Sequence, residues 1–257
     1  MSREYIVEVA GREIDYRRVP EECTRVPTIV MLHEGLGSVS TWRDFPDALG
    51  ATTGAEVIVY SRYGYGRSTV RREAFAVDYM HRAAMDELPS FLDALEVEAP
   101  VLFGHSDGAS IALIFAGLYP ERTSGLILEA PHVFTEQISV DSIATIQELY
   151  ESSDDLRSRL ARHHADPDAT FYGWNSAWQL PEFMSWNIEN YLPDIQCPSL
   201  LIQGEGDEYG TIEQIERIER GSGGSVEKLI LECCGHAPHR DCKDNVLMAS
   251  KAFLKKL

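Results

Sequence analysis

The chain has 257 residues, 44% of them hydrophobic, which suits one large α/β domain with a substantial core. Lys and Arg total 23 against 41 Asp and Glu, a formal net charge of −18, so neither nucleic acid nor an anionic membrane is an expected partner. The five cysteines (Cys23, Cys197, Cys233, Cys234, Cys242) form no disulfide framework and no Cys-Xaa-Xaa-Cys knuckle, and read as reduced thiols.

Residues 4–9 and 13–19 alternate around Ala10-Gly11-Arg12 and predict an antiparallel hairpin at a sheet edge. Residues 28–32 are a continuous apolar run, as a buried central strand should be. The polar, glycine-rich turn His33-Glu34-Gly35-Leu36-Gly37-Ser38 follows, then a short helix from Trp42 to Leu49. A second buried strand is expected at 56–60, ahead of the loop Ser61-Arg62-Tyr63-Gly64-Tyr65-Gly66-Arg67-Ser68. Residues 76–95 carry apolar side chains at helical spacing, with Pro89 expected to kink or split them.

Val101-Leu102-Phe103 is the next strand, and Ile111 to Ala116 lie in a buried helix. Between them stands Gly104-His105-Ser106-Asp107-Gly108, the Gly-Xaa-Ser-Xaa-Gly pattern of a nucleophile elbow. A serine on so tight a turn is strained, and its hydroxyl stands above the sheet. The positions two residues away must be small, because strand and helix backbones nearly touch there. A strand at 125–129 follows. Residues 131–193 then break the β-α rhythm and are rich in aromatic and acidic residues. Strands at 199–202 and 226–231, with helices near 211–220 and 243–256, complete a mostly parallel sheet covered on both faces. No signal-like leader and no apolar run of spanning length is found, so a cytoplasmic protein is expected.

A serine hydroxyl needs a base to take its proton and a carboxylate to orient that base. Gly204-Glu205-Gly206-Asp207 follows the strand at 199–202, and Asp207 is the acid candidate, with Glu208 and Glu129 as rivals. Gly235-His236 follows the strand at 226–231, and His236 is the base candidate, with His239 as fallback. Strand C-terminal ends are where functional groups converge in parallel sheets.

With these residues in place, the sequence resembles the α/β-hydrolase superfamily. The likeness is carried by His33-Glu34-Gly35-Leu36-Gly37, by residues 61–68, by the elbow, by Gly204-Xaa-Xaa-Asp207 and by Gly235-His236-Xaa-Pro238. It implies an eight-stranded α/β-hydrolase core formed by 1–130 and 194–257, with a helical cap at 131–193 inserted after the sixth strand. It also implies ester, amide, thioester, lactone or carbon–carbon hydrolysis without a cofactor. The family's oxyanion turn usually begins His-Gly, and here it begins His33-Glu34. Gly35 and Asp107 are then the expected backbone donors to an oxyanion, with Leu36 replacing Gly35 if the register shifts by one. Only N–H groups are needed, so Glu34 does not forbid the hole.

The Asp107 side chain is expected to point into the fold while its amide works. His33 and His105 read as packing and hydrogen-bonding residues, and no ligand-rich motif joins them with His236 into a metal site. His163-His164 is expected to be exposed. Glu34, Leu36, Trp174, Trp178 and Trp186 are candidates for the wall of a largely apolar pocket. The reading is a serine hydrolase of a small, largely apolar ester, thioester or lactone. The alternatives are a carbon–carbon bond hydrolase or enol-lactonase, a peroxide-using perhydrolase, and a small-molecule receptor with slow turnover. Aspartate-elbow enzymes are disfavoured, because the elbow residue is Ser106.

Overall fold

The computed structural model describes residues 3–20 and 26–257; Met1, Ser2 and Cys23 lie outside the described residues. Eight strands form one sheet in the order β1-β2-β4-β3-β5-β6-β7-β8. They are β1 Arg3–Val9, β2 Arg12–Val19, β3 Ile29–Leu32, β4 Val57–Tyr60, β5 Val101–His105, β6 Gly125–Glu129, β7 Ser199–Gly204 and β8 Val226–Leu231. β1 and β2 are an antiparallel hairpin, and β2 pairs antiparallel with β4. All later pairings are parallel.

β3 to β7 are buried at every position, which is why they read as unbroken apolar runs. Alternate side chains divide between two cores. Val30, Leu32, Ile58 and Leu102 join the elbow helix Asp107–Leu118 on one face. Ile29, Met31, Val57 and Phe103 join Phe45, Leu49, Val246 and Phe253 on the other.

Two helices depart from the sequence reading. The residues after Ser38 first form a 3-10 turn, Val39–Trp42, because the Ser38 N–H donates to Thr41 Oγ1 at 2.9 Å. Arg43 then takes a positive φ of 54°, and the helix starts at Phe45 and runs to Thr53. Residues 79–94 stay helical through Pro89, with a π-helical turn at Ala83–Glu87. Proline has no N–H for the preceding turn and its ring crowds the carbonyl there, so a widened turn interrupts the α-helix just ahead of Pro89.

Residues 131–193 add no strand to the sheet. They hold helices Gln137–Ser152, Asp154–Leu160 and Pro167–Trp178, then 3-10 turns Pro181–Ser185 and Glu189–Asp194. Their own core stacks Tyr150 on Phe171 at 3.7 Å and Phe183 on Trp186 at 5.7 Å. His164, expected to be exposed, is buried. Its Nε2 donates to the Leu36 carbonyl at 2.9 Å and its Nδ1 accepts from the Gly66 N–H at 3.0 Å. Both ring nitrogens are satisfied by loops at the sheet edge, so this histidine ties the insertion to the core.

Candidate active site

The elbow places Ser106 at φ 53° and ψ −118°, a conformation L-residues rarely adopt and one that costs about 1–3 kcal/mol. The flanking glycines make it possible. A Cβ on Gly104 would meet Ala109 Cα at 2.5 Å, and one on Gly108 would meet the Leu32 carbonyl oxygen at 2.1 Å. Strand β5 and its helix are too close for any larger residue.

Ser106 Oγ lies 2.9 Å from His236 Nε2. His236 Nδ1 lies 2.8 Å from Asp207 Oδ1. An ionised carboxylate only accepts, so Nδ1 carries the ring proton and Nε2 offers its lone pair to the serine. Asp207 is held by two further donors, Gln203 Nε2 at 2.7 Å and the Tyr209 N–H at 2.8 Å. Burial alone would push its pKa up, but His236 outweighs burial and the carboxyl titrates below its ordinary range. Of the rivals, Glu208 accepts the His236 backbone N–H at 3.3 Å, and Glu129 pairs with His239 at 2.6 Å. Neither touches the His236 ring.

A cavity of about 120 Å³ opens at Ser106. Gly35, Leu36, Trp174, Trp178, Ile143 and Tyr209 form much of its wall. A Cβ on Gly35 would overlap the Trp174 indole, so any larger residue there would have to displace that ring. The N–H groups of Gly35, Leu36 and Asp107 donate to no protein acceptor among the described residues. Trp186 is not part of this wall. It packs on Phe183 at 5.7 Å, with Trp178 at 6.4 Å between the insertion's core and the cavity. His132, Ser139, Ile143 and Tyr209 also line the cavity, and sequence reasoning missed them. Two had a usable signal: His132 follows β6 and Tyr209 follows β7, both at strand C-terminal ends.

The Asp107 carboxylate is buried and accepts from Tyr79 Oη at 2.5 Å, with Arg62 Nη2 at 3.8 Å. Trp178 Nε1 donates to the same tyrosine oxygen at 2.9 Å. Burial raises the Asp107 pKa, against the pull of Arg62. Arg62 also donates to the His33 carbonyl at 2.5 Å and the Glu34 carbonyl at 3.1 Å, which ties the elbow to the glycine-rich turn. His33 is fully buried; its Nε2 accepts from the Arg62 N–H at 3.1 Å, and burial drives its pKa well down. Glu34 is half-buried on the cavity wall, its Oε2 3.7 Å from His105 Nδ1.

His33, His105 and His236 do not converge as a ligand set. Among the described residues, the group close enough to hold an ion is His105, Glu129 and His239.

A strained serine on a β5–helix turn, in the sheet order found here, defines an α/β hydrolase. The chain belongs to the alpha/beta hydrolase family, whose model matches residues 29–249. It is similar to serine hydrolase BPHL of Mus musculus, 29% identical over 219 residues, covering 78% of this chain and 69% of that protein. The Homo sapiens protein of that name is 27% identical over 164 residues, covering 59% of this chain and 53% of its own length. The match therefore spans about half of the human relative. A proline iminopeptidase of Lactobacillus delbrueckii subsp. bulgaricus is 29% identical over 116 residues, covering 45% of this chain and 39% of that protein. The fold is shared with an enol-lactonase from Burkholderia xenovorans LB400, at TM-score 0.75 and 16% identity, over 98% of this chain and 100% of that one. No helix among the described residues is long and apolar enough to cross a membrane.

Proposed function

We propose that the protein is a cytoplasmic serine hydrolase that cleaves a small, largely apolar ester, thioester or lactone through an acyl-enzyme. One observation carries the reading: the Ser106–His236–Asp207 hydrogen-bonded chain ends in a cavity walled by Trp174, Trp178 and Ile143. His236 takes the Ser106 proton as Oγ attacks the carbonyl carbon. The carbonyl electrons move to oxygen, and the N–H groups of Asp107 and Gly35 stabilise that charge, by roughly 3–4 kcal/mol per donor. Asp207 keeps the imidazole in the right tautomer and stabilises the imidazolium. His236 then gives its proton to the leaving group. Water, activated by the same imidazole, releases the acyl group.

The cavity's size suits a small acyl group, and residues 131–193 act as its cap. The free thiols of Cys197, Cys233, Cys234 and Cys242 support a reducing compartment. The test is a panel of p-nitrophenyl esters, lactones and ring-cleavage diketones, run with wild type and Ser106→Ala. Esters or lactones should turn over repeatedly, and the variant should lose at least about 10³-fold in kcat. Full activity in Ser106→Ala would sink the reading. Preference for diketones would move it to carbon–carbon hydrolysis, and a single slow turnover with a rise in Tm would move it to a receptor.

A further inference from the structure

Behind the cavity wall, two buried acceptor atoms have no donor, His105 Nδ1 and Glu129 Oε1. His105 Nε2 is 2.7 Å from the backbone carbonyl of His236, which can only accept, so Nε2 carries a proton. That leaves Nδ1 as a bare lone pair in a neutral ring. Nδ1 is buried without a hydrogen-bond partner, and its nearest charged neighbour is Glu34 Oε2 at 3.7 Å. Glu129 Oε1 is buried and unpartnered as well. One ligand-capable atom from each of His105, Glu129 and His239 lies within 4.8 Å of the others. A neutral His105 would set its lone pair against the Glu34 carboxylate, with the Glu129 carboxylate close by. One added proton removes that conflict.

We propose that His105 is a buried imidazolium paired with Glu34, and that this cation positions the general base through its hydrogen bond to the His236 carbonyl. The inference rests on the serine hydrolase reading for the role of His236. It gives Glu34 a task. The carboxylate at the start of the oxyanion turn acts through His105 on the loop that carries His236, so one ion pair couples the two halves of the site.

The groups facing His105 come from every side. Glu34 lies on the glycine-rich turn, Glu129 at the end of β6, and His239 with ring centroids 5.0 Å away. The His236 ring is 5.1 Å away and Trp42 presents its indole at 6.2 Å. His132 lies on the far side of His236, at 5.9 Å from that ring. Burial alone would push His105 toward the neutral form, but the Glu34 and Glu129 carboxylates outweigh it and its pKa is raised. Burial would likewise raise Glu34, yet His105 first, then His33 and His239, hold it well below the ordinary carboxylate range. Both shifts favour the ion pair.

The test is a ¹H–¹⁵N correlation spectrum of the histidine rings in full-length, ¹⁵N-histidine-labelled protein, from pH 6 to 8. His105 should carry protons on both nitrogens at pH 7. In Glu34→Gln the loss of the Nδ1 proton should move down by about one pH unit or more. The same variant should lose about tenfold in kcat with KM within about twofold, and Glu34→Asp should recover part of that loss. A singly protonated His105 in the wild type at pH 7 would overturn the inference. So would an effect of Glu34→Gln confined to KM, which would make Glu34 a substrate contact. A stoichiometric transition metal in the purified protein would overturn it too, since an ion would then hold these lone pairs. The ring spectra need no substrate and no turnover. A neutral His105 would leave the hydrolase reading intact, whereas hydrolysis surviving Ser106→Ala would remove that reading and leave the protonated ring in place.

Discussion

Two carboxylate–histidine pairs lie on either side of His105, and they are chemically the same. Asp207 holds His236 at 2.8 Å, and Glu129 holds His239 at 2.6 Å. The His105 ring centroid is 5.1 Å from one imidazole and 5.0 Å from the other. What separates them is the third partner. The free nitrogen of His236 meets Ser106, and its side chain keeps 14% exposure at the cavity. The His239 ring packs on Trp42 at 4.6 Å and Phe45 at 5.5 Å, with 5% exposure and no route to the serine. A buried acid–histidine pair is therefore not a site by itself. On the proposed function, access and a nucleophile make a site of one pair; without them the other is part of the core.

The first pair should show the larger effect on activity. Asp207→Asn keeps the shape but gives Nδ1 an amide that no longer enforces the tautomer. kcat should fall by about 10³–10⁴-fold, while Tm moves little. Steady-state kinetics and a thermal melt on one preparation check both halves. An activity loss below about tenfold would mean that another carboxylate, Glu208 being nearest at hand, orients His236.

The second pair should answer in the opposite way. Weakening the donor that a buried carboxylate accepts from leaves that acceptor poorly satisfied, at about 3 kcal/mol for a charged group. His239→Gln should therefore lower Tm by roughly 10 °C for a chain of this size, and leave kcat within a few-fold at a temperature where it stays folded. Large loss of kcat with an unchanged melt would show that the two pairs are functionally one system.

Why one pair was legible in the sequence and the other was not is a matter of range. The elbow announces itself locally: an apolar strand, two obligatory small residues around Ser106, and an apolar helix within about fifteen positions. Asp207 and His236 each sit just past a readable strand, and parallel strands bring such ends to one edge. Glu129 was read as a rival acid and His239 as a spare base, from the same kind of position. Their pairing with each other depends on the short helix Pro238–Asp241, which turns His239 away from Ser106 toward Trp42. No spacing rule encodes that turn. The same holds for the wall. Trp174 and Trp178 lie four apart on one helix face and reach the cavity, while Trp186 follows a 3-10 turn that points it into the insertion's own core. The widened helix at Pro89 and the buried His164 belong with these, being settled by packing between distant segments.

The smallest effect concerns the charge beside the first pair. His132 lies 5.9 Å from the His236 ring and meets Trp178 edge-on at 5.7 Å. Burial first, and His236 second, push its pKa down to about 4. It is thus neutral at pH 7, and on the proposed mechanism the imidazolium formed on His236 faces no further cation from that side. Linkage fixes the sign. The unfolded chain takes up this proton near pH 6.5, whereas the folded chain does not until about pH 4, so His132 costs stability as pH falls through that window. His33 and His164, also shifted down by burial, add slope of the same sign. His105, shifted up, contributes stability that is complete below pH 6.5 and is lost as pH rises through its folded value. Denaturant melts at pH 4.5, 5.5 and 6.5 should show unfolding free energy falling toward acid. In His132→Gln that fall should be smaller by up to about 1.4 kcal/mol per pH unit, the value of one proton. An unchanged slope would mean that His132 is charged in the fold. The Asp207–His236 pair would then work beside a second cation, and its difference from the Glu129–His239 pair would rest on access to Ser106 alone.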